Sequence, residues 1–542
     1  MKRSILKFYA LAACIMFGLS ACTDLEIEET DSIISVGFQG IDDPASAVDQ
    51  LYQQFYGNLS DQANTFALQE VTTDALLIPT RGADWGDNGR WRKLHQHEWG
   101  LEETDIIGPF DQWNANQLLA SQIMDSRSGA STEVAAEAAF LRAFSMWTIL
   151  DLFGQVPFRD TALPSTELPV ILSGQEAVDF IIADVDAAIA GLPVIPAMDG
   201  DNLNRAGKAA ARMLKAKILL NKHIYLNQLT GGGATPDAAD MNDVVALVDA
   251  IEADGFALQQ GYFEIFEETP DSETILWLQA DTGNRIFNTL HYNSTGLRGG
   301  GWNGFSTLAE FYDLFEGDPN NNRSELDLTA LDGQEERRGG VPASGLPFTG
   351  RPNTLELDGF ENGSNVGFGF LIGQQYALNG DPINDRPGAP LQFSRDFVDG
   401  TGAPNLINND EQTGIRVIKF NPRFGGAATQ HGILFRFADA FLMRAEAMFR
   451  MGGDPTTMVN ELRVLRGATP LGAVSESDIA DERARELYTE RWRRQDMIRF
   501  GEYLRDWELK GNGQANNTTR LLFPIPLPQL LANPNMVQNP GY

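Results

Sequence analysis

Apolar residues recur at steps of three and four through much of the first half of the chain, the spacing of one buried stripe on a helix. Val178, Ile181, Ile182, Val185, Ile189 and Leu192 make one such stripe. It stops at Gly191-Leu192-Pro193, where proline cannot continue a helix. Phe140, Ala143, Phe144 and Trp147 make a second, ending near Gly154 and Pro157. Ala209, Met213, Ala216, Leu220 and Ile224 make a third, whose small residues let a neighbouring helix approach closely. A fourth runs from about Met241 to Ala253 and is ended by Gly255. Apolar helices joined by short turns predict stacked helical pairs. No strict period of about 34 residues is present, so any repeats are irregular.

From about residue 270 to 430 the pattern changes. Ile275-Leu276-Trp277-Leu278 reads as a strand. Gly, Asn, Pro and Asp then take over, as in Gly299-Gly300-Gly301, Asp318-Pro319-Asn320-Asn321-Asn322 and Arg386-Pro387-Gly388. Aperiodic stretches this long in a compact protein are usually functional loops. Helical spacing returns at Phe437, Phe441, Ala445 and Met448, and one more helix is predicted from about 477 to 500. The tail from Phe523-Pro524-Ile525-Pro526 to Tyr542 is extended and punctuated by proline. The predicted fold is mainly α: irregular, tetratricopeptide-like helical pairs with long loop-rich insertions and a few short strands. One domain is expected over 41–542, with its helical scaffold at about 41–260 and 430–505 and a loop-rich, ligand-facing region at about 270–430.

The first residues follow a different logic. Lys2, Arg3 and Lys7 precede an apolar run from Phe8 to Leu19. That run is shorter than the roughly 20 residues of a spanning helix and has the layout of a secretory signal. Leu19-Ser20-Ala21-Cys22 resembles the lipobox of bacterial lipoproteins, which implies removal of residues 1–21 and acylation of Cys22, with palmitate among the chains. Several acyl chains hold a membrane stably where one is marginal. Asp24, Glu26, Glu28, Glu29 and Asp31 make residues 22–40 an acidic tether, and the cluster is similar to the surface-export signal of Bacteroidota lipoproteins. The only cysteines, Cys14 and Cys22, both lie here, so the body can hold no disulfide framework or cysteine metal cluster. Over 542 residues, 41 Lys and Arg face 74 Asp and Glu, a formal charge of −33, and loss of the three leader cations takes it to −36. Such a charge repels nucleic acid and disfavours a strongly anionic ligand unless a loop carries a basic patch.

Catalytic and metal patterns do poorly. His95-Gln96-His97 could set two ligands on one strand face beside Glu98, but without a third they read as hydrogen-bonded loop residues. Ala206-Gly207-Lys208-Ala209 fails as a phosphate loop, because Asn202 stands at the first glycine position and Ala209 where a hydroxyl would hold magnesium. Gly367, Gly369 and Gly373 are misspaced for a dinucleotide turn, and no Gly-x-Ser-x-Gly elbow is present. Asp318, Asn320 and Asn322 begin like a calcium loop that Pro319 and Arg323 break. No metal, cofactor or catalytic residue is therefore expected, although counting carboxylates in so acidic a chain does not exclude a glycosidase pair. Glu486, Glu490, Arg493, Asp496 and Arg499 have helical spacing and read as mutual support on one helix.

Several segments together resemble the SusD/RagB family of surface glycan-binding lipoproteins. Ala136-Glu137-Ala138-Ala139-Phe140-Leu141-Arg142-Ala143-Phe144, running on to Leu152-Phe153-Gly154-Gln155-Val156-Pro157, is similar to the family's long early helix and following turn. Arg444-Ala445-Glu446-Ala447 resembles a later helix. Glu486-Leu487, Glu490, Arg493, Asp496, Arg499 and Gly501 resemble its charged helix, and Pro524-Ile525-Pro526, Asn533-Pro534 and Gln538-Asn539-Pro540-Gly541-Tyr542 its terminus. The segment from Pro79 to Trp91, through His95, His97 and Trp99, resembles one branch whose members have different ligands. The resemblance implies a mostly helical fold in the outer membrane, lipid-anchored and exposed on the cell surface. It also implies a non-enzymatic role: binding a polysaccharide or oligosaccharide and delivering it to a SusC-type TonB-dependent transporter, as part of nutrient uptake. A surface glycoside hydrolase and a peptide-capturing lid of the same family are the alternatives.

For such a role the side chains of interest are flat aromatics framed by polar groups, since sugars offer C–H faces and hydroxyls. Trp85 and Trp91 lie amid Gly, Asp and Asn; Trp302 follows three glycines; Tyr292 sits beside Asn293. These four make the expected platform, with Arg81, Asp84, Asn88 and Asn303 as hydroxyl partners. The competing reading is that the rings pin long loops to the body. Trp147, Trp277 and Trp492 fall in helix or strand patterns and read as core. Residues 81–97 hold Arg81, Arg90, Arg92 and Lys93 against Asp84 and Asp87, a small positive excess. Net charge thus favours a neutral glycan such as a β-glucan.

Overall fold

The computed structural model describes residues 37–164, 166–229, 235–266, 270–279, 285–294, 301–317, 323–324, 335–342, 368–375, 382–399, 401–420 and 431–542. Cys22, the leader, the first part of the tether and the calcium-like positions Asp318, Asn320 and Asn322 lie outside them. No helix among the described residues is long and apolar enough to cross a membrane.

The architecture is mainly α. In chain order the principal helices are α1 (Pro44–Ser60), α2 (Arg90–Gln96), α3 (Thr104–Met124), α4 (Thr132–Phe153), α5 (Gly174–Gly191), α6 (Lys208–Tyr225), α7 (Ala238–Ala253), α8 (Phe437–Arg450), α9 (Thr456–Leu465), α10 (Glu476–Leu487) and α11 (Arg493–Arg499). Neighbours in sequence pack in space, α3 on α4, α4 on α5, α5 on α6 and α6 on α7, and the chain returns to seat α8 against α7 and α10 against α8. Each apolar stripe read from the sequence lies on one of these helices. Local chemistry sets their ends. Ser131 caps α4 by accepting the Val134 N–H at 3.3 Å, and Gly154 closes it in the left-handed region at φ 72°. Ser475 and Asp478 form a capping box at α10. Close approach of α4 and α5 needs small residues: a Cβ on Gly191 would come within 2.7 Å of the Ala136 Cβ.

The loop-rich region carries the short strands. Thr274–Gln279 pairs antiparallel with His431–Arg436, as the apolar run at 275–278 predicts. A five-stranded sheet runs in the order Ser306–Thr307, Ile415–Ile418, Phe368–Leu371, Gly339–Pro342 and Arg323–Ser324.

The helix expected over 477–500 is two helices. The chain leaves α10 at Tyr488, and Thr489 and Arg491 take positive φ values of 62° and 76°. Tertiary partners outcompete the helical ladder here. The Arg491 N–H donates to Glu70 Oε1 at 2.6 Å and its guanidinium to Leu59 O at 2.8 Å, while Glu490 turns inward to Arg436 and Lys419. The charged residues at this spacing are therefore not exposed helix pairs. They belong to a buried ionic core that ties the last third of the chain to the segments around Glu273 and Arg337 and to the helical stack. Glu486 meets Arg337 (3.1 Å), Arg436 (2.7 Å) and Arg466 (3.0 Å), Arg466 reaches Glu273 (2.6 Å), and Arg337 reaches Glu482 (2.6 Å). Nearby, Arg499 bridges Glu446 and Asp496, and Arg493 pairs with Asp74 at 2.7 Å. Burial works against the charge on Glu482, but Arg337, Arg485 and Arg463 hold its carboxyl down at about 2.

Candidate functional site

Four loop segments are stitched together beside the Ser306–Thr307 edge of the five-stranded sheet. The Leu77 N–H donates to Ser306 O at 2.8 Å, Thr80 N–H to Leu406 O at 2.8 Å and Gly82 N–H to Asn409 O at 3.0 Å. Gly301 N–H donates to His291 O at 3.0 Å and Asn303 N–H to Leu290 O at 2.8 Å. Two glycines permit this approach. A Cβ on Gly301 would sit 2.1 Å from Leu290 O, and one on Gly304 would sit 2.5 Å from the Trp85 ring.

The residues expected to make the platform divide into two layers. Arg81, Trp91 and Asn303 lie underneath. Arg81 is 2% exposed and donates to Asn303 O (2.9 Å), Asp410 O (3.1 Å) and Ser306 Oγ (2.8 Å), as well as to Thr413 O. Asn303, fully buried at φ 50°, accepts from Arg416 Nε at 2.8 Å and donates to Glu411 O at 3.1 Å. These two polar residues hold the loop seam and leave nothing for a ligand hydroxyl. Trp91 stands on α2, 1% exposed, with its Nε1–H donated to Asp87 Oδ2 at 2.8 Å and its ring edge-on to Trp85 and Phe305. It is the wedge beneath Trp85 and offers no open face.

Trp302, Trp85, Tyr292, Asp84 and Asn88 form the upper layer. Trp302 is 40% exposed, and Trp85, half-buried, donates its Nε1–H to Trp302 O at 2.9 Å. The exposed Arg285 guanidinium lies 4.5 Å from the Trp302 ring and 5.5 Å from that of Trp85. Tyr292 donates its hydroxyl to Asp84 Oδ2 at 3.0 Å, and Arg386 sits 4.2 Å over its ring. Burial, with the Asp84 hydrogen bond and charge, pushes the Tyr292 phenol up to about 12, so it stays a donor. Arg386 pairs with both Asp84 and Glu411. Asn88 is exposed on a turn in which Trp85, Asp87 and Asn88 all have positive φ, a strained arrangement for non-glycine residues.

Behind this face, His291 couples two loops. Its Nδ1 accepts the Asn293 N–H at 3.0 Å, so Nε2 carries the proton and donates to Glu411 Oε2 at 2.8 Å. Burial lowers the His291 pKa despite Glu411, which keeps the ring neutral. Burial also opposes the Glu411 charge, but the Arg386 N–H, the His291 ring and the Arg386 guanidinium hold that carboxyl below the usual carboxylate range. The face thus offers one exposed indole, a phenol ring oriented by Asp84, carboxylate acceptors and guanidinium donors. That is the equipment of a binding surface. Sequence reading did not pick out Arg285, Arg386, His291 or Glu411, because their roles depend on rings and loops far away in the chain.

The other aromatic and histidine expectations fall away from this face. Trp147 and Trp492 are buried and Trp277 is half-buried against Gly200. His95 and His97 sit at the end of α2 rather than on a strand. His97 Nε2 meets Thr72 O at 2.8 Å and His95 Nε2 meets Glu508 O at 3.2 Å.

A sequence model described as the SusD family matches residues 272–542. The chain is 28% identical to the starch-binding protein SusD of Bacteroides thetaiotaomicron, over 98% of each chain. In fold it is similar to a SusD-like protein of Bacteroides fragilis (20% identity, 92% of this chain and 98% of that one, TM-score 0.66). It is similar too to a surface glycan-binding protein A from Bacteroides thetaiotaomicron solved with laminarihexaose (15% identity, 92% and 98%, TM-score 0.59).

Proposed function

The chain belongs to the SusD family, and on that premise we propose that it captures a glycan at the outer face of the outer membrane and passes it to a SusC-type TonB-dependent transporter, without cleaving it. The observation that carries the reading is the upper loop layer: a partly exposed tryptophan, Trp302, framed by Trp85, Tyr292, Asp84 and Arg386 on loops locked in place from below. Rigid aromatics with hydrogen-bonding neighbours suit sugar C–H faces and hydroxyls. The relatives named for starch, or solved with laminarihexaose, support the same ligand class. On net charge alone, a neutral chain such as a β-glucan is favoured.

A hydrolase needs one carboxyl kept protonated as an acid. Asp84 and Glu411 of this face are instead tied to Arg386, and Glu411 is held ionised. Affinity electrophoresis across a polysaccharide panel, with assay for new reducing ends, tests the proposal. Retarded migration without release of ends is expected, and release would make the protein an enzyme. Lipid anchoring through Cys22 belongs to the same proposal. Cys22→Ser, in cells lacking the transporter, should free the protein from the outer-membrane fraction, and continued membrane association would show that the lipid is not the anchor.

A further inference from the structure

Arg285 is the unusual residue of the face. It is exposed and lies over Trp302 and Trp85, and among the described residues it has no ion-pair or hydrogen-bond partner. In a chain with 74 acidic against 41 basic residues, carboxylates are in excess, and exposed arginines elsewhere find them: Arg127 pairs with Asp125 and Arg386 with Asp84 and Glu411. A guanidinium held against an indole by cation–π attraction keeps its N–H donors available, and such donors can receive a carboxylate or sulfate through two parallel hydrogen bonds.

The floor adds to this charge. Arg81 and Arg416 are buried directly under the face, and their donors go to backbone carbonyls, the Ser306 hydroxyl and the Asn303 amide oxygen rather than to carboxylates. Around the face, Arg81, Arg285, Arg386 and Arg416 balance Asp84, Asp385, Asp410 and Glu411, and Arg92 on α2 offsets Asp87. In a molecule of net charge −33 the aromatic surface is thus locally balanced, and Arg285 is the guanidinium there that no carboxylate among the described residues answers.

We propose that Arg285 makes the site selective for glycans bearing anionic groups, carboxylates of uronic acids or sulfate esters, in place of the neutral chain that net charge favours. This rests on the reading of the face as a glycan site. Binding of such a chain is salt-sensitive, because guanidinium–anion pairing weakens as the Debye length shrinks, whereas stacking on a neutral sugar does not.

The test uses matched pairs: polygalacturonate against its methyl ester, and a sulfated galactan against its desulfated form. Each is titrated calorimetrically at low and high salt into the mature protein and into Arg285→Ala and Arg285→Lys, with melting temperature as the folding control. The proposal expects the charged member of at least one pair to bind at least tenfold more tightly at low salt. That preference should fall about tenfold in Arg285→Ala and partly recover in Arg285→Lys. The pair that shows it tells carboxylate from sulfate. Equal or tighter, salt-independent binding of the neutral members would overturn the inference and leave the glycan reading standing. A preference that survives in Arg285→Ala would overturn the role of Arg285. Failure to bind any glycan, in these pairs or in the wider panel, would overturn both readings.

Discussion

Two sets of arginines divide this molecule. In the ionic core around Glu486, Arg337, Arg436 and Arg466 are fully buried and answered by Glu273, Glu335, Glu482, Glu486 and Glu490. Beneath the aromatic face, Arg81 and Arg416 are as deeply buried, yet backbone and side-chain carbonyls and a hydroxyl satisfy them. The first arrangement cancels charge and fastens chain segments to one another. The second fastens loops and leaves the charge in place, close to where a ligand would lie. The same side chain serves cohesion in one region and recognition in the other, and only its partners tell the two apart.

The largest effects should come from breaking the core. Glu486→Ala strips the shared acceptor from three buried guanidinium groups, and a loss of about 3–5 kcal/mol is expected. Denaturant unfolding checks this, and a shift under 1 kcal/mol would mean that the core relaxes around the gap. The same carboxylates set an acid limit. Glu482 and Asp496 are held at about 2 against ordinary values of 4.5 and 3.8, because arginines overcome the cost of burial. Their folded-state values are depressed, so their contribution is complete above the ordinary carboxylate range and is lost as pH falls from about 4.5 toward 2. Melting temperature followed across that window should drop steeply, and a flat profile would contradict it.

Trp91→Ala sharpens the contrast at the site itself. Trp91 lies under Trp85, so its removal should cost about 3–5 kcal/mol of stability, and any loss of binding should follow from a disturbed face. Asn303→Ala should act the same way on a smaller scale, about 1–3 kcal/mol, by leaving Arg416 Nε without its acceptor. Comparing the midpoints of chemical unfolding for the two variants checks the order.

The helical half was legible because its apolar stripes have one period and one explanation: each stripe at 140–147, 178–192, 209–224, 241–253 and 437–448 is a helix. The break between α10 and α11 was not, because Arg491 and Glu490 are drawn out of helical geometry by Glu70, Leu59, Arg436 and Lys419, which lie elsewhere in the chain. At the site, composition pointed to the right loops, but not to the layer each residue occupies. Trp85 and Trp91 read alike in sequence. In space one is half-buried at the surface and the other fills the floor, since the short helix α2 turns Trp91 inward. Arg285 escaped notice because its stack joins residues on separate loops.

Trp302→Ala gives the most direct test of the claim that the upper layer is the ligand surface. With its indole 40% exposed, truncation should leave the melting temperature within about 2 °C of wild type and weaken binding to the best polysaccharide of the panel by about 1–3 kcal/mol. Undiminished binding with a lowered melting temperature would show that Trp302 only pins its loop and that glycan is held elsewhere.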